Sequence, residues 1–268
     1  MMRNNLQIKL TFLFLLSSFA AYSQNSQNTI SLNIILGYPD SAGYIIERPQ
    51  YVISYSDKLN SARWVSWHID KSYYGSVKRY SGNFITDTIL PKNYAIIKHS
   101  DYTNSGYDRG HLVRSEERTK TKEDNKSTFY LTNVIPQVPD LNRKIWLQLE
   151  NYCKKLCREG NKKLYVVAGG KYSENPQLIK SKIAIPDSCW KVVLILDSGK
   201  TINDIDTSTQ IIAVMMPNNS KIKQSKNWYE FLRTAREIEQ STGFNFFSIV
   251  PIEIQNVIEN RKYKNAII

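Results

Sequence analysis

Tyr107-Asp108-Arg109-Gly110-His111, then Thr132-Asn133-Val134-Ile135-Pro136-Gln137, then Asp140-Leu141-Asn142 with Trp146 and Glu150 beyond it, are the segments on which the reading of this chain turns. The first sets an acid, a guanidinium, a flexible glycine and an imidazole side by side. Spacing alone leaves it open whether this is a reactive cluster or a loop closed by an Asp108/Arg109 pair. In the third, an N-terminal cap at Asp140 would put Asn142, Trp146 and Glu150, each four residues apart, on one helix face. An amide oxygen and a carboxylate on one face suit a hard, oxygen-seeking cation such as Mg²⁺, which keeps most of its water. The plainer alternative makes Trp146 a core residue and the other two ordinary polar groups near a helix start.

Outward from these segments, apolar residues at helical spacing (Leu141, Ile145, Leu149, Leu156) predict a helix over Leu141 to Arg158. A second helix is predicted over Asn227 to Ser241, from Trp228, Phe231, Leu232, Ala235 and Ile238, with Gly243 as its stop. Val52 to Tyr55 and Arg63 to Asp70 are rich in β-branched and aromatic residues and read as strands, the second with a period of two. Leu164 to Ala168, Trp190 to Leu196 and Ile211 to Met216 are short apolar runs that suit buried strands, with Gly169-Gly170 read as a strand end. Strands outnumber helices and the connections are long, so a mixed α+β domain fits better than a doubly wound sheet.

The chain has 268 residues, 41% hydrophobic and 12% aromatic, enough for a packed core. Its 36 Lys and Arg against 24 Asp and Glu give a formal charge of +12, which points to a polyanionic partner. One apolar run, Leu10 to Ala21, follows Arg3 and Lys9 and precedes Ala21-Tyr22-Ser23, the pattern of a cleavable secretory signal over residues 1–23. The run is short for a membrane span, so no stable membrane association is expected after cleavage, and the location is expected to be secreted or periplasmic. Residues 24–35 then read as a polar linker and residues 36–268 as a single domain. Cys153, Cys157 and Cys189 form no disulfide framework and no zinc pattern, and are expected to be buried or partly buried thiols.

Of the three histidines, His68 lies in a strand pattern and His99 in a polar loop, where structural roles are the default; His111 stands in the cluster quoted first. Asp108-Arg109-Gly110-His111, the following Asn133-Val134-Ile135-Pro136-Gln137 and the Asn142/Trp146/Glu150 spacing resemble the DNA/RNA non-specific endonucleases. Further landmarks extend the resemblance over roughly Leu36 to Pro251: Gly37-Tyr38-Pro39, Tyr51 to Tyr55, Arg63-Trp64-Val65, Arg79 with Phe84 and Asp87, Leu164 to Gly170, and Ile238 to Phe247. The resemblance implies a ββα-metal (His-Me finger) fold, a central mainly antiparallel sheet flanked by helices, in which a hairpin delivers the histidine and a helix delivers the metal ligand.

The same resemblance implies a role for each residue. His111 would be the general base that takes a proton from water. Asn142 would be the direct ligand of Mg²⁺, with Mn²⁺ or another divalent cation as alternatives, and Glu150 would act through the cation's water. Arg109 would face the scissile phosphate, and Arg79 matches a second arginine near the transition state. Asp108 would shape the hairpin, while Asn133 and Gln137 would support the site. A water held by the cation would protonate the leaving 3′ oxygen, giving 5′-phosphate ends. The implied function is hydrolysis of DNA and RNA phosphodiester bonds with little sequence preference, by an enzyme that is often a homodimer. Two alternatives are a catalytically silent nucleic-acid-binding relative and a phosphodiesterase for small nucleotides. After His111 the chain departs from the family pattern: Leu112-Val113-Arg114-Ser115-Glu116-Glu117-Arg118 stands where small residues and then an aspartate are common.

Overall fold

The computed structural model describes residues 31–264. The signal expected over 1–23, and the linker up to residue 30, lie outside the described residues. Within residues 31–35, read above as the end of that linker, Ile34 joins the core, and buried Asn33 donates from Nδ2 to the carbonyl of Pro49 at 2.9 Å.

Eleven strands are described, β1 (Tyr44–Arg48), β2 (Tyr51–Ser56), β3 (Ser61–Ile69), β4 (Asp108–His111), β5 (Val134–Gln137), β6 (Lys162–Lys171), β7 (Leu178–Ile179), β8 (Ile183–Ala184), β9 (Ser188–Asp197), β10 (Gln210–Pro217) and β11 (Leu232–Arg233). Four α-helices accompany them, α1 (Lys122–Ser127), α2 (Leu147–Arg158), α3 (Ala235–Thr242) and α4 (Ile252–Ile258). Seven strands form one antiparallel sheet in the order β1-β2-β3-β6-β9-β10-β11. The expected α+β architecture, a mainly antiparallel sheet flanked by helices, is the one observed.

Both faces of this sheet are covered, which is why β6, β9 and β10 read as apolar runs rather than as clean alternation. Along β6, Leu164, Val166 and Ala168 point into one core and Tyr165 and Val167 into the other. The first core lies under α2 and the β4–β5 hairpin, and receives Leu141, Ile145, Trp146 and Leu149. The second lies under α3 and α4, with Phe244, Phe246 and Phe247 between them. Trp64, Trp67, Trp146 and Trp190 are almost wholly buried, so truncating any one of them to alanine is expected to cost about 3–5 kcal/mol.

Two expectations require correction. The predicted helix over Asn227 to Ser241 is broken into a 3₁₀ turn (Trp228–Phe231), β11 and α3. Thr234 is extended and accepts from Glu237 N while Glu237 accepts from Thr234 N, so a capping box starts a new helix there; Gly243, at φ +76°, ends it as expected. Asp140 is not the cap of the other helix. Its backbone is already helical, and its side chain pairs with Lys144 at 2.7 Å. That helix opens instead as a π-helical turn over Leu141–Trp146 before continuing as α2.

Candidate active site

The hairpin is built from four-residue strands held by registration rather than length: Asp108 faces Gln137, Gly110 faces Ile135 and His111 faces Val134. Gly110 is required by a close approach, because a Cβ there would lie 2.1 Å from Gln137 Oε1 and 2.6 Å from its Cγ. Asn133 fixes the chain just past His111. Its Oδ1 accepts from Val113 N at 3.0 Å, and its Nδ2 donates to the carbonyls of Val113 and Thr128 at 3.0 and 2.9 Å. Asn133 and Gln137, read from the sequence as supports of the site, are fully buried.

The His111 ring sits between Phe84 and Phe129, each with its centroid 5.0 Å away. Burial, reinforced by the positive charges of Arg79 and Arg114, lowers its pKa to about 3, so the ring is an uncharged imidazole at neutral pH. Its Nε2 is buried without a hydrogen-bond partner.

Asp108 joins the hairpin to the helix that crosses it. Its Oδ2 accepts from Asn142 Nδ2 at 2.9 Å, and both carboxylate oxygens accept from Arg143, at 2.8 and 2.6 Å. Because the amide nitrogen of Asn142 is committed to Asp108, its acceptor, Oδ1, is the end left to meet a cation. The Arg143 and Asn142 hydrogen bonds outweigh burial and hold the Asp108 carboxyl below the usual range. Two turns along, Glu150 is buried, with Arg114 Nε 3.6 Å from Oε2 and Lys191 Nζ 3.9 Å from Oε1. Burial, only partly offset by Lys191 and Arg114, pushes its carboxyl up to about 7.

The two predicted arginines approach the histidine through the same aromatic rings. Arg109 lies 5.7 Å from the Phe84 ring and donates to the carbonyl of His99 at 2.6 Å, and its Nε is buried without a partner. Arg79 lies 4.8 Å from the Phe129 ring and donates to Ser115 Oγ. Desolvation lowers the pKa of both guanidiniums. His99 and His68 keep structural roles. His99 Nδ1 accepts from Phe84 N at 3.1 Å, which holds one wall of the His111 pocket. His68 is buried against Tyr73 and Tyr165, and burial lowers its pKa to about 4.

The five predicted residues His111, Arg109, Arg79, Asn142 and Glu150 therefore share one neighbourhood, linked through Asp108, Phe84, Phe129 and Arg114. Sequence reasoning missed three contributors. Arg114 was noted only as a departure from the family pattern, yet it bridges Glu150, Glu116 at 2.5 Å and Asn151 at 2.8 Å. Lys191 was the visible signal of a charge inside an apolar strand. Phe129 had no signal of its own. The cysteines are buried and free, as expected.

The donor set suits a hard cation that keeps its water. Among the described residues no group of three His, Cys, Asp or Glu side chains forms a metal cage. An oriented amide oxygen, with a carboxylate two turns away, offers one direct contact and one through water.

Comparisons with known proteins agree with this geometry. A sequence model of the DNA/RNA non-specific endonucleases matches residues 31–252. The "Nuclease" of Nostoc sp. is 39% identical over 242 residues, covering 87% of this chain and 86% of that protein. Bovine mitochondrial endonuclease G is 30% identical over 211 residues, covering 74% of this chain and 67% of its own. A solved EndoG/EndoGI complex superposes with a TM-score of 0.73 at 24% identity, over 87% of this chain and 97% of that one, and shares the ββα-metal fold. The family match over most of the chain, and a relative this similar over nearly its whole length, place this protein in the DNA/RNA non-specific endonuclease family: it is a nuclease, a hydrolase of phosphodiester bonds.

Proposed function

We propose that this protein is a secreted or periplasmic, Mg²⁺-dependent endonuclease that cleaves DNA and RNA alike and leaves 5′-phosphate ends. One observation carries the mechanism: Asp108, three residues before His111, holds the amide of Asn142 at 2.9 Å, so one side chain orients the proposed ligand beside the strand that ends in the proposed base. Residues 36–268 would act as a single domain after loss of residues 1–23, with homodimer formation an added expectation. The basic balance of the chain fits phosphate-directed binding, which carries no sequence information.

His111 accepts the proton of the attacking water. It is uncharged at neutral pH, and a bound phosphate would offset the fields of Arg79 and Arg114 and make the ring more basic as substrate arrives. Such a base contributes about 10²- to 10⁴-fold in rate. Arg109 and Arg79 donate to phosphoryl oxygens, where charge accumulates in the transition state. Asn142 would hold the cation directly and Glu150 through water. The bound ion would supply Lewis-acid stabilisation of the phosphoryl group. Phe84 and Phe129 keep bulk water from the imidazole.

The test is a gel assay on plasmid and total RNA with Mg²⁺, with excess chelator, and with His111→Ala. Degradation of both substrates, lost with chelator and in the variant, is expected. Intact substrates with a persistent mobility shift would leave only the binding reading.

A further inference from the structure

Beside the catalytic cluster lies a cavity of about 470 Å³ lined by Arg79, Arg114 and Arg158, with Ser76, Thr119 and Glu116 also on its wall. The three guanidiniums reach it from separate parts of the chain: the loop after β3, the segment after His111, and the last turn of α2. They are not equally committed. Arg114 is pinned by Glu116, Asn151 and Glu150. Arg79 has a hydroxyl and a ring, and Arg158 an aromatic ring, Tyr74, 5.8 Å away; neither has an ion-pair partner among the described residues. Three guanidiniums face one acid of this wall, Glu116, whose carboxyl is held below the usual range, against burial, by Lys154 and by Arg114 and Arg158, so the wall carries a surplus of positive charge. Hydroxyls beside it add neutral donors.

Position gives the surplus its meaning. Arg79 lies against Phe129, and Phe129 against His111, so the cavity is separated from the candidate base by one aromatic ring. Arg158, on the last turn of α2, lines the same cavity beside Tyr74. A strand whose scissile phosphate sat at His111 would lay a neighbouring phosphate into this space.

We propose that the cavity running from Arg79 to Arg114 and Arg158 is a binding subsite for a second, uncleaved phosphate of the polynucleotide strand, held by Arg114 and Arg158 while Arg79 stays on the scissile phosphate, and that Arg158 is its clamp. This rests on the nuclease reading above and adds a length requirement: substrates with a phosphate beyond the scissile one gain a contact that a dinucleotide lacks. A guanidinium forks onto phosphate oxygens, so Arg158→Lys should recover the contact only in part.

Arg158 is exposed, so its substitution spares the core. Arg158→Ala, Arg158→Lys and, as a control for simple charge loss, Lys200→Ala are compared with wild type on a dinucleotide and on a twelve-nucleotide single strand. Expected for Arg158→Ala is a loss of about 10-fold in kcat/KM on the long strand, with the dinucleotide unchanged, and a salt slope shallower by about 0.7. Equal loss on both substrates, no loss on the long strand, or a matching loss in Lys200→Ala overturns the subsite. Fluorescence anisotropy of the same oligonucleotides in chelator reads the subsite without turnover. Wild type that binds but cleaves neither substrate defeats the nuclease reading, and the length dependence of its binding still decides the subsite.

Discussion

Lys191 Nζ stands 3.9 Å from Glu150 Oε1 with both side chains almost wholly buried, so a close amine–carboxyl contact joins the central sheet to the helix of the candidate site. The ammonium also lies 4.5 Å from the Trp146 ring and 5.3 Å from that of Trp67, whose Nε1 donates to Glu117 Oε2 at 2.9 Å. A cation this deep in an apolar strand is costly unless its counter-charges stay in place. Lys191→Met removes one partner and strands the carboxylates. Expected is a loss of about 3 kcal/mol in urea unfolding at pH 8, where the Glu150 carboxyl is ionised, together with weakened cleavage. Lys191→Met combined with Glu150→Gln should regain much of the stability and none of the activity. Full activity in the single variant would show that the pair serves packing alone.

Asp108 is 34 residues from Asn142 in sequence and in contact with it through one hydrogen bond. Asp108→Ala frees the amide to rotate and releases Arg143 while leaving His111 in place. The divalent-ion concentration for half-maximal cleavage should rise by about 10- to 100-fold, the usual cost of losing a partner behind a ligand. At saturating ion much of the rate should return. A fall in rate that no ion concentration repairs would place Asp108 in the chemistry itself.

Gly110→Ala tests the closeness of the hairpin. The added methyl meets Gln137 on an unexposed part of the partner strand, so the strands must separate or Gln137 must leave. A lower melting temperature and a large loss of cleavage are expected. Gly110→Ala with Gln137→Ala should recover part of both, since the clash and its partner are removed together. Additive losses in the double variant would mean that the glycine matters for another reason.

Legibility in the sequence followed how local each cause is. β6, β9 and β10 were readable because burial on both faces leaves long apolar runs, and β2 and β3 because they are rich in β-branched and aromatic residues. The β4–β5 hairpin was not, since four residues show no period; only the Asp-Arg-Gly-His resemblance marked it. The break before α3 was hidden because Trp228, Phe231 and Leu232 continue the helical spacing, although Thr234 and Glu237 carry the capping-box pattern that sets it. His111, Asn142, Glu150, Arg109 and Arg79 were nominated by the resemblance to the family. What joins them was not, because the Asp108 to Asn142 bond, the ring of Phe129 and the Lys191 to Glu150 pair are products of tertiary packing.

On the far side of the sheet, Arg236 lies between two carboxylates, 2.7 Å from Glu239 Oε2 and 2.5 Å from Glu259 Oε2. Glu239 Oε1 also accepts from Phe246 N at 2.6 Å, whereas Glu259 Oε1 has no hydrogen-bond partner. One guanidinium cannot neutralise both acids. Burial, and then the charge of Glu239, push the Glu259 carboxyl up to about 7. Its value in the unfolded chain is about 4.3, so the folded state binds this proton more tightly than the unfolded one. The resulting stabilisation is fully present below about pH 4 and is lost as the pH rises through about 7. Glu259→Gln mimics the protonated form at every pH. Its melting temperature should therefore match wild type near pH 4 and exceed it by a margin that widens toward pH 8. Differential scanning calorimetry across that range reads the margin directly; a constant offset between the two proteins would show that Glu259 is ionised throughout and contributes no pH dependence.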